Sequence, residues 1–435
     1  MMKSWLIIGA GVSGFGAAQL LRKQGDKVRV TERTTLPIEK KSKWLSLGVD
    51  VRDGFHELSH LDGITHVVLS PGVTEKHMLF QGARDLGLPI ISEIDLALKD
   101  YKGHLIGVTG TNGKSTTCAM VFHLLKKLGL DAGIGGNFGD PPSAILARGS
   151  LPNYLVLELS SYQLEQTHGI HPEVSIFTSF SHDHIARHGS LEAYLKVKWK
   201  IFEKQNPKDL ALLTSDIHRL GGQMGLSIPA RHEQVTPSLI AKFLPEDCGP
   251  KEVHNKLNAI LSVLAVAHIT GERPEALLPL LDDFMGLPHR CELVGMIGGL
   301  PVTNDSKSTN VESTLVALES QKTPVILMMG GQGKEEPYSP ILSKKSIIAA
   351  LVTFGPTGKE IAHQLGGSFP IFPFPTLIAA LEAISGILEK HKHPILFSPG
   401  CASFDEFANY EHRGEVFRKA MIPLCDSSPL RDPSS

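Results

Sequence analysis

Leu105-Ile106-Gly107-Val108-Thr109-Gly110-Thr111-Asn112-Gly113-Lys114-Ser115-Thr116 decides the fold. An apolar run gives way to glycines, then to Gly-Lys-Ser-Thr, and a helical pattern continues towards Leu128. Such a loop wraps backbone N–H groups around phosphates, with a lysine beside the outer phosphates and a hydroxyl on Mg²⁺. The P-loop pattern is met loosely, because position 108 is valine and Gly107 falls one residue early. Gly110 to Thr116 therefore read as an ATP site at a strand–helix junction. A phosphate loop of this kind commonly has a second carboxylate on a neighbouring strand. Leu155-Val156-Leu157-Glu158 is an apolar run ending in such an acid, which makes Glu158 a candidate magnesium ligand beside Ser115.

Outward from this stretch, short apolar runs alternate with helical patterns, the mark of α/β layers with mostly parallel sheets. Strands are expected at Trp5–Ile8, Val28–Thr31, His66–Leu69, Leu105–Thr109, Tyr154–Leu157, Val325–Met329, Ile347–Phe354 and Pro394–Ser398, and a helix over Asn255–His268. A length of 435 residues favours about three domains. With joints near 92–103 and 284–290, the expected domains are 1–92, 93–286 and 287–435. The first contains Gly9-Ala10-Gly11-Val12-Ser13-Gly14, which fits G-x-G-x-x-G after a strand and before a helix. Glu32 ends the next strand, where an acid often meets a ribose. Three readings stay open there: NAD or FAD, a bare tight turn, or the pyrophosphate of a substrate such as a UDP-sugar.

Composition narrows the partners. Forty-three basic and 45 acidic residues leave a formal net charge of −2, which gives no reason to expect nucleic acid or an anionic membrane. The 42 glycines exceed the roughly 7% average and cluster after apolar runs. Cys118, Cys248, Cys291, Cys401 and Cys425 show no metal spacing and read as reduced thiols. The N-terminal apolar run breaks into glycines too soon for a signal peptide. The uncharged stretch Ile361–Leu381 holds Gly366, Gly367, Pro370, Pro373 and Pro375, so one spanning helix is not expected. A cytoplasmic, soluble protein follows.

Ser181-His182-Asp183-His184-Ile185-Ala186-Arg187-His188 is rich in histidine but matches no standard zinc spacing, and a histidine-rich surface loop is the plain alternative. In the next helix Leu191, Tyr194, Leu195, Ile201 and Phe202 make one apolar stripe, with Lys196, Lys200 and Lys204 on the polar side. Lys198 falls within the stripe. Either its stem snorkels at the edge, or burial lowers its pKa. A neutral amine can take up CO₂ to give a carbamate, an oxygen ligand suited to Mg²⁺.

Taken in order, GTNGKST, ELSSYQLE, the Asp183-His184 pair, Lys198, GLPHR, NDSKSTN, GGQGK and SPGCASFDEFANYEHRG make the chain resemble the Mur ligases over nearly its whole length. ELSSYQL and NDSKSTN point within that family to the branch adding D-glutamate to UDP-N-acetylmuramoyl-L-alanine. The resemblance implies a Rossmann-like N-terminal domain, a central P-loop ATPase-type parallel-sheet domain and a Rossmann-like C-terminal domain. It puts the substrate's uridine nucleotide, not NAD, on Ser13, Gly14, Glu32 and Arg33. Asn137, Ser160 and Gln163 would reach the same substrate. Asn258, Arg290 and Asp305 would meet ATP from across a domain gap. Ser115 with Glu158 would hold one Mg²⁺, and His184 with carbamoylated Lys198 a second. Lys307, Thr309, Lys334, Ser403, Phe404 and Tyr410 would face D-glutamate or the γ-phosphate, with Lys114, His184, Lys198 and Lys307 as the catalytic set. A monomer is implied.

Three residues depart from the family pattern: Ser179 for asparagine, Ala186 for an acid, and Gln332 for the aspartate of GGDGK. Competing readings are a folylpolyglutamate synthase-like ligase, an NAD-dependent dehydrogenase and a P-loop switch that ligates nothing. The last two leave GTNGKST idle or make ATP hydrolysis independent of substrates.

Overall fold

The computed structural model describes residues 2–183, 185–243, 253–284, 286–333 and 337–426. Two compact units divide the chain, Met1–Phe284 and Met285–Ser435. His184 and Lys334 lie outside the described residues, as do Cys248 and the side chain of Ala186.

The first unit carries two sheets. One has β1 (Ser4–Ile8), β2 (Lys27–Glu32), β3 (Asp50–Asp53), β4 (His66–Leu69) and β5 (Ile90–Ser92), ordered β3-β2-β1-β4-β5 and parallel throughout. The order reverses between β1 and β4, the switch point at which doubly wound sheets open a crevice for ligands. Apolar residues on both faces of β1 explain its place at the centre: Leu6 and Ile7 are fully buried and feed two different cores.

The other sheet has β6 (His104–Thr109), β7 (Ala132–Gly136), β8 (Tyr154–Glu158), β9 (Val174–Phe177), β10 (Leu210–Thr214) and β11 (Arg231–Val235). Its order is β11-β10-β9-β6-β8-β7, again parallel. β6 is central, so whatever follows it is flanked by the residues following β8 and β9. Helices Lys114–Lys127 and Val253–Thr270 cover one face with Met120, Leu124, Ile260 and Leu264, all buried. Leu195, Trp199, Ile201 and Phe202 cover the other.

The second unit holds β12 (Glu292–Ile297), β13 (Leu300–Asn304), β14 (Val325–Gly330), β15 (Ile348–Phe354), β16 (Ile371–Pro373) and β17 (Ile395–Phe397). They run β12-β13-β17-β14-β15-β16, with β12 and β13 antiparallel and the rest parallel. The uncharged stretch Ile361–Leu381 divides as its glycines and prolines require: the helix Gly358–Leu365 ends, β16 follows, and Leu377–His391 begins a new helix. Among the described residues no helix is long and apolar enough to cross a membrane.

Candidate active site

Strand register builds the centre of the site. Val108 pairs with Glu158, and Thr109 with Phe177, so three neighbouring strand ends meet above β6. The loop after β6 turns at Gly113, where φ is +83° and an added Cβ would lie 2.7 Å from Asn258 Oδ1; glycine alone fits. Thr117 Oγ1 donates to the same Asn258 oxygen at 3.2 Å. The sequence reading placed Asn258 across a domain gap from the nucleotide. The structure corrects this: the helix Val253–Thr270 packs on the P-loop helix within one unit, which sets Asn258 directly against the loop.

Ser115 Oγ donates to Glu158 Oε2 in a short contact, and Asn137 Nδ2 donates to Glu158 Oε1 at 2.6 Å. Asn137, expected on the UDP-substrate, is thus also a partner of the carboxylate at the end of β8. Behind the loop, Ser179 supplies what sequence reasoning left open. Its hydroxyl accepts from Asn112 N–H at 2.8 Å and donates to Asn112 C=O at 3.0 Å, while Thr111 N–H donates to the Ser179 carbonyl at 2.8 Å. A short serine in this position braces the P-loop from β9.

Lys198 is 1% exposed, so the helix Leu191–Trp199 buries it rather than letting it snorkel. Its Nζ donates to the Gly110 carbonyl at 2.7 Å and sits 4.8 Å from the Tyr194 ring centroid. Lys114 Nζ donates to that same carbonyl at 2.9 Å and to Thr111 C=O at 2.7 Å. Two amines on one oxygen are close enough to repel when both are charged. Burial first, then Lys114, push the Lys198 amine well below the ordinary lysine range.

The donors fit the groups that the sequence implied. Glycine-lined backbone and Lys114 match a polyphosphate. A hydroxyl and a carboxylate in contact form the oxygen set that Mg²⁺ takes with water completing its shell. Among the described residues no three His, Cys, Asp or Glu side chains cluster as a metal centre.

At the other sheet, Gly9 N–H donates to Thr31 C=O at 2.9 Å, and Ser70 Oγ donates to the Gly9 carbonyl at 3.0 Å across the switch point. Glu32 accepts from Ala10 N–H at 2.9 Å and from Arg33 N–H at 2.8 Å. Gly14 is buried and Ser13 half-buried in the helix Val12–Lys23, and Arg33 is exposed. Ser160 and Gln163 form a capping box on the helix Ser161–Gln166, each holding the other's backbone N–H. Their side chains thereby fix the turn that follows Glu158.

In the second unit Asp305 is buried and accepts from Ser308 Oγ in a short contact, from Ser398 Oγ at 2.8 Å and from Cys291 N–H at 3.2 Å. Burial pushes its carboxyl up to about 6 despite those donors and the nearby Arg290. Lys307 Nζ lies 5.1 Å from the Tyr410 ring centroid, Thr309 is half-buried, Ser403 is buried and Phe404 is 71% exposed. Gln332, the departure from GGDGK, exchanges two 2.9 Å backbone hydrogen bonds with Ala402. The residue that sequence reasoning missed is Arg413, fully buried behind these loops.

Residues 3–92 match the family described as Mur ligase MurD-like, N-terminal domain, and residues 108–236 match Mur ligase middle domain. The chain is 34% identical to the UDP-N-acetylmuramoylalanine–D-glutamate ligase of Anaeromyxobacter dehalogenans, over 95% of this chain and 96% of that one. It is 30% identical to the ligase of the same name in Bacillus subtilis, with 97% of each covered. Among solved structures, UDP-N-acetylmuramate–alanine ligase of Thermotoga maritima shares the fold with a TM-score of 0.59, at 19% identity over 96% of this chain and 99% of that one. The chain belongs to the Mur ligase family, alongside the UDP-N-acetylmuramoylalanine–D-glutamate ligases.

Proposed function

We propose that the chain joins D-glutamate to UDP-N-acetylmuramoyl-L-alanine at the expense of ATP, a step in peptidoglycan precursor synthesis. One observation carries this reading: Lys114, Ser115, Glu158 and the buried Lys198 converge on a single phosphate loop, in a chain about one-third identical to ligases of that name. A carboxylate is a poor electrophile because oxide is a poor leaving group. Transfer of the γ-phosphoryl of ATP to the alanyl carboxylate gives an acyl phosphate and ADP. The neutral amine of D-glutamate then attacks the acyl carbon, and the tetrahedral intermediate expels phosphate to leave the amide.

In this scheme Lys114 offsets charge on the transferring phosphoryl group, and the loop N–H groups hold the remaining phosphates. Bound Mg²⁺ would supply further neutralisation, held by Ser115 and Glu158 and, at a second position, by His184 and a carbamate on Lys198. That carbamate forms when the neutral Lys198 amine adds to CO₂ and releases a proton. Ser13, Gly14, Glu32, Arg33, Asn137, Ser160 and Gln163 hold the UDP-substrate. Lys307, Thr309, Lys334, Ser403, Phe404 and Tyr410 hold the dicarboxylate, for which fixed cations and hydroxyls are the appropriate donors. Asn258, Arg290 and Asp305 bind nucleotide. The groups proposed for the nucleotide fall in both units, Asn258 and the phosphate loop in the first and Arg290 and Asp305 in the second, whereas those proposed for D-glutamate fall in the second. The testing measurement is phosphate release from ATP and Mg²⁺, expected only when both UDP-N-acetylmuramoyl-L-alanine and D-glutamate are present. Equal release with L-glutamate, or without the UDP-substrate, would contradict the assignment.

A further inference from the structure

Arg413 stands near the start of the helix Tyr410–Met421 and is 0% exposed. A cation opposes the dipole at a helix start, and a buried charge is costly unless fully satisfied. Among the described residues its hydrogen bonds go to no carboxylate. Nη2 donates to Ser306 C=O at 2.8 Å, Nε to Ser306 Oγ at 3.1 Å, and Nη1 to the carbonyls of Cys401 at 3.0 Å and Ala402 at 3.1 Å. Ser306 Oγ in turn donates to Tyr410 C=O at 2.9 Å. On its third side the guanidinium abuts the β14 loop, where a Cβ on Gly331 would lie 3.0 Å from Nη1. Three chain segments distant in sequence are therefore tied to one planar group.

Those segments carry the acceptor residues named above. Ser306 precedes Lys307, Ala402 precedes Ser403, and Gly331 precedes Gln332, whose backbone pairs with Ala402. We propose that Arg413 is the positioning residue of the acceptor amino-acid site, fixing these loops in the arrangement that presents Lys307, Ser403 and Tyr410 to a dicarboxylate. The proposal rests on the ligase reading. Two effects act together. The rigid fork matches several carbonyl oxygens at fixed angles, which a lysine point charge cannot do. The guanidinium also polarises the Ser306 and Ala402 carbonyls, which strengthens as donors the N–H groups sharing those peptide links: that of Lys307, which donates to His289 C=O at 3.0 Å and so anchors the loop, and that of Ser403. Burial lowers the Arg413 pKa to about 10, with Asp405, Asp305 and Glu406 acting against the fall, so the group stays cationic at neutral pH.

The test is steady-state kinetics of Arg413→Met and Arg413→Lys in the full chain, with hydroxylamine trapping of the acyl phosphate, which yields a hydroxamate and phosphate without D-glutamate. Arg413→Met should raise the D-glutamate KM by about tenfold or more while the ATP and UDP-substrate KM values stay within about twofold. Hydroxamate formation should persist, and Arg413→Lys should recover part of the loss. Should Arg413→Met fail to fold, Ser306→Ala removes one anchor of the guanidinium and should shift the D-glutamate KM in the same direction by a smaller factor. An unchanged D-glutamate KM in the folded variant, or a parallel loss of hydroxamate, overturns the proposal. Absence of hydroxamate from the unaltered chain would instead sink the ligase reading itself.

Discussion

At the scale of single residues, Lys198 shows what a sequence can and cannot say. Its burial was legible, because it falls on the face of Tyr194 and Leu195. Its acceptor was not, since Gly110 lies 88 residues away and only the sheet brings the two together. Sharing that carbonyl with Lys114 gives a reason for a neutral amine that periodicity alone could not. Lys198→Ala should cut turnover by about a hundredfold or more, and added short-chain carboxylates should restore part of it by taking the place of the carbamate. Unaltered activity in Lys198→Ala would exclude the role. Ser179 offers a gentler case. Ser179→Ala removes two hydrogen bonds to Asn112, which should cost about 1 kcal/mol of loop order and raise the ATP KM several-fold. A KM equal to that of the unaltered chain would show that the backbone contact from Thr111 to Ser179 suffices.

Among the elements, the strands expected from apolar runs are present with ends within a residue or two of the expected ones, but the buried strands Val174–Phe177 and Leu210–Thr214 of the second sheet were not picked out. Sheet order was not readable, because it is fixed by crossovers between segments far apart in sequence. The stretch near 92–103, expected as a joint, opens with a packed helix. Ser92 caps the helix Glu93–Leu98, and Glu93, 2% exposed, accepts from Ser143 N–H at 2.7 Å at the start of the helix Pro142–Arg148. The other Glu93 oxygen has no hydrogen-bond partner among the described residues, and burial raises its carboxyl to about 7. Between the ordinary carboxylate value and 7 the unfolded chain binds fewer protons than the native one, so native stability falls as pH rises through that window. Glu93→Gln abolishes the titration while keeping an acceptor for Ser143. It should therefore be more stable than the unaltered chain at pH 9, by about 3 kcal/mol, and the gain should vanish near pH 4. Denaturant melts at the two pH values measure this; a gain independent of pH would mean that the carboxyl is not the cause.

For the molecule as a whole, near-zero net charge is compatible with anionic substrates, because the cations that matter are few and placed. Lys114, Lys307 and Arg413, the cations proposed above, each have partners fixed by the fold, and none needs a basic surface. The two units have separate apolar cores, one set spanning the first two sheets and another the third. Separate cores of this size should unfold as separate cooperative transitions. Every residue proposed for the UDP-substrate lies in the first unit, so that ligand alone should raise one transition and leave the other in place. At a hundred times its dissociation constant the stabilisation is about 2.7 kcal/mol, ample for a calorimetric shift. D-glutamate, whose proposed residues lie in the second unit, should by the same reasoning act on the other transition. A single transition, or one in which the UDP-substrate moves both peaks equally, would show that the units are thermodynamically one body. The acceptor loops would then feel the nucleotide-sugar before any acyl phosphate forms.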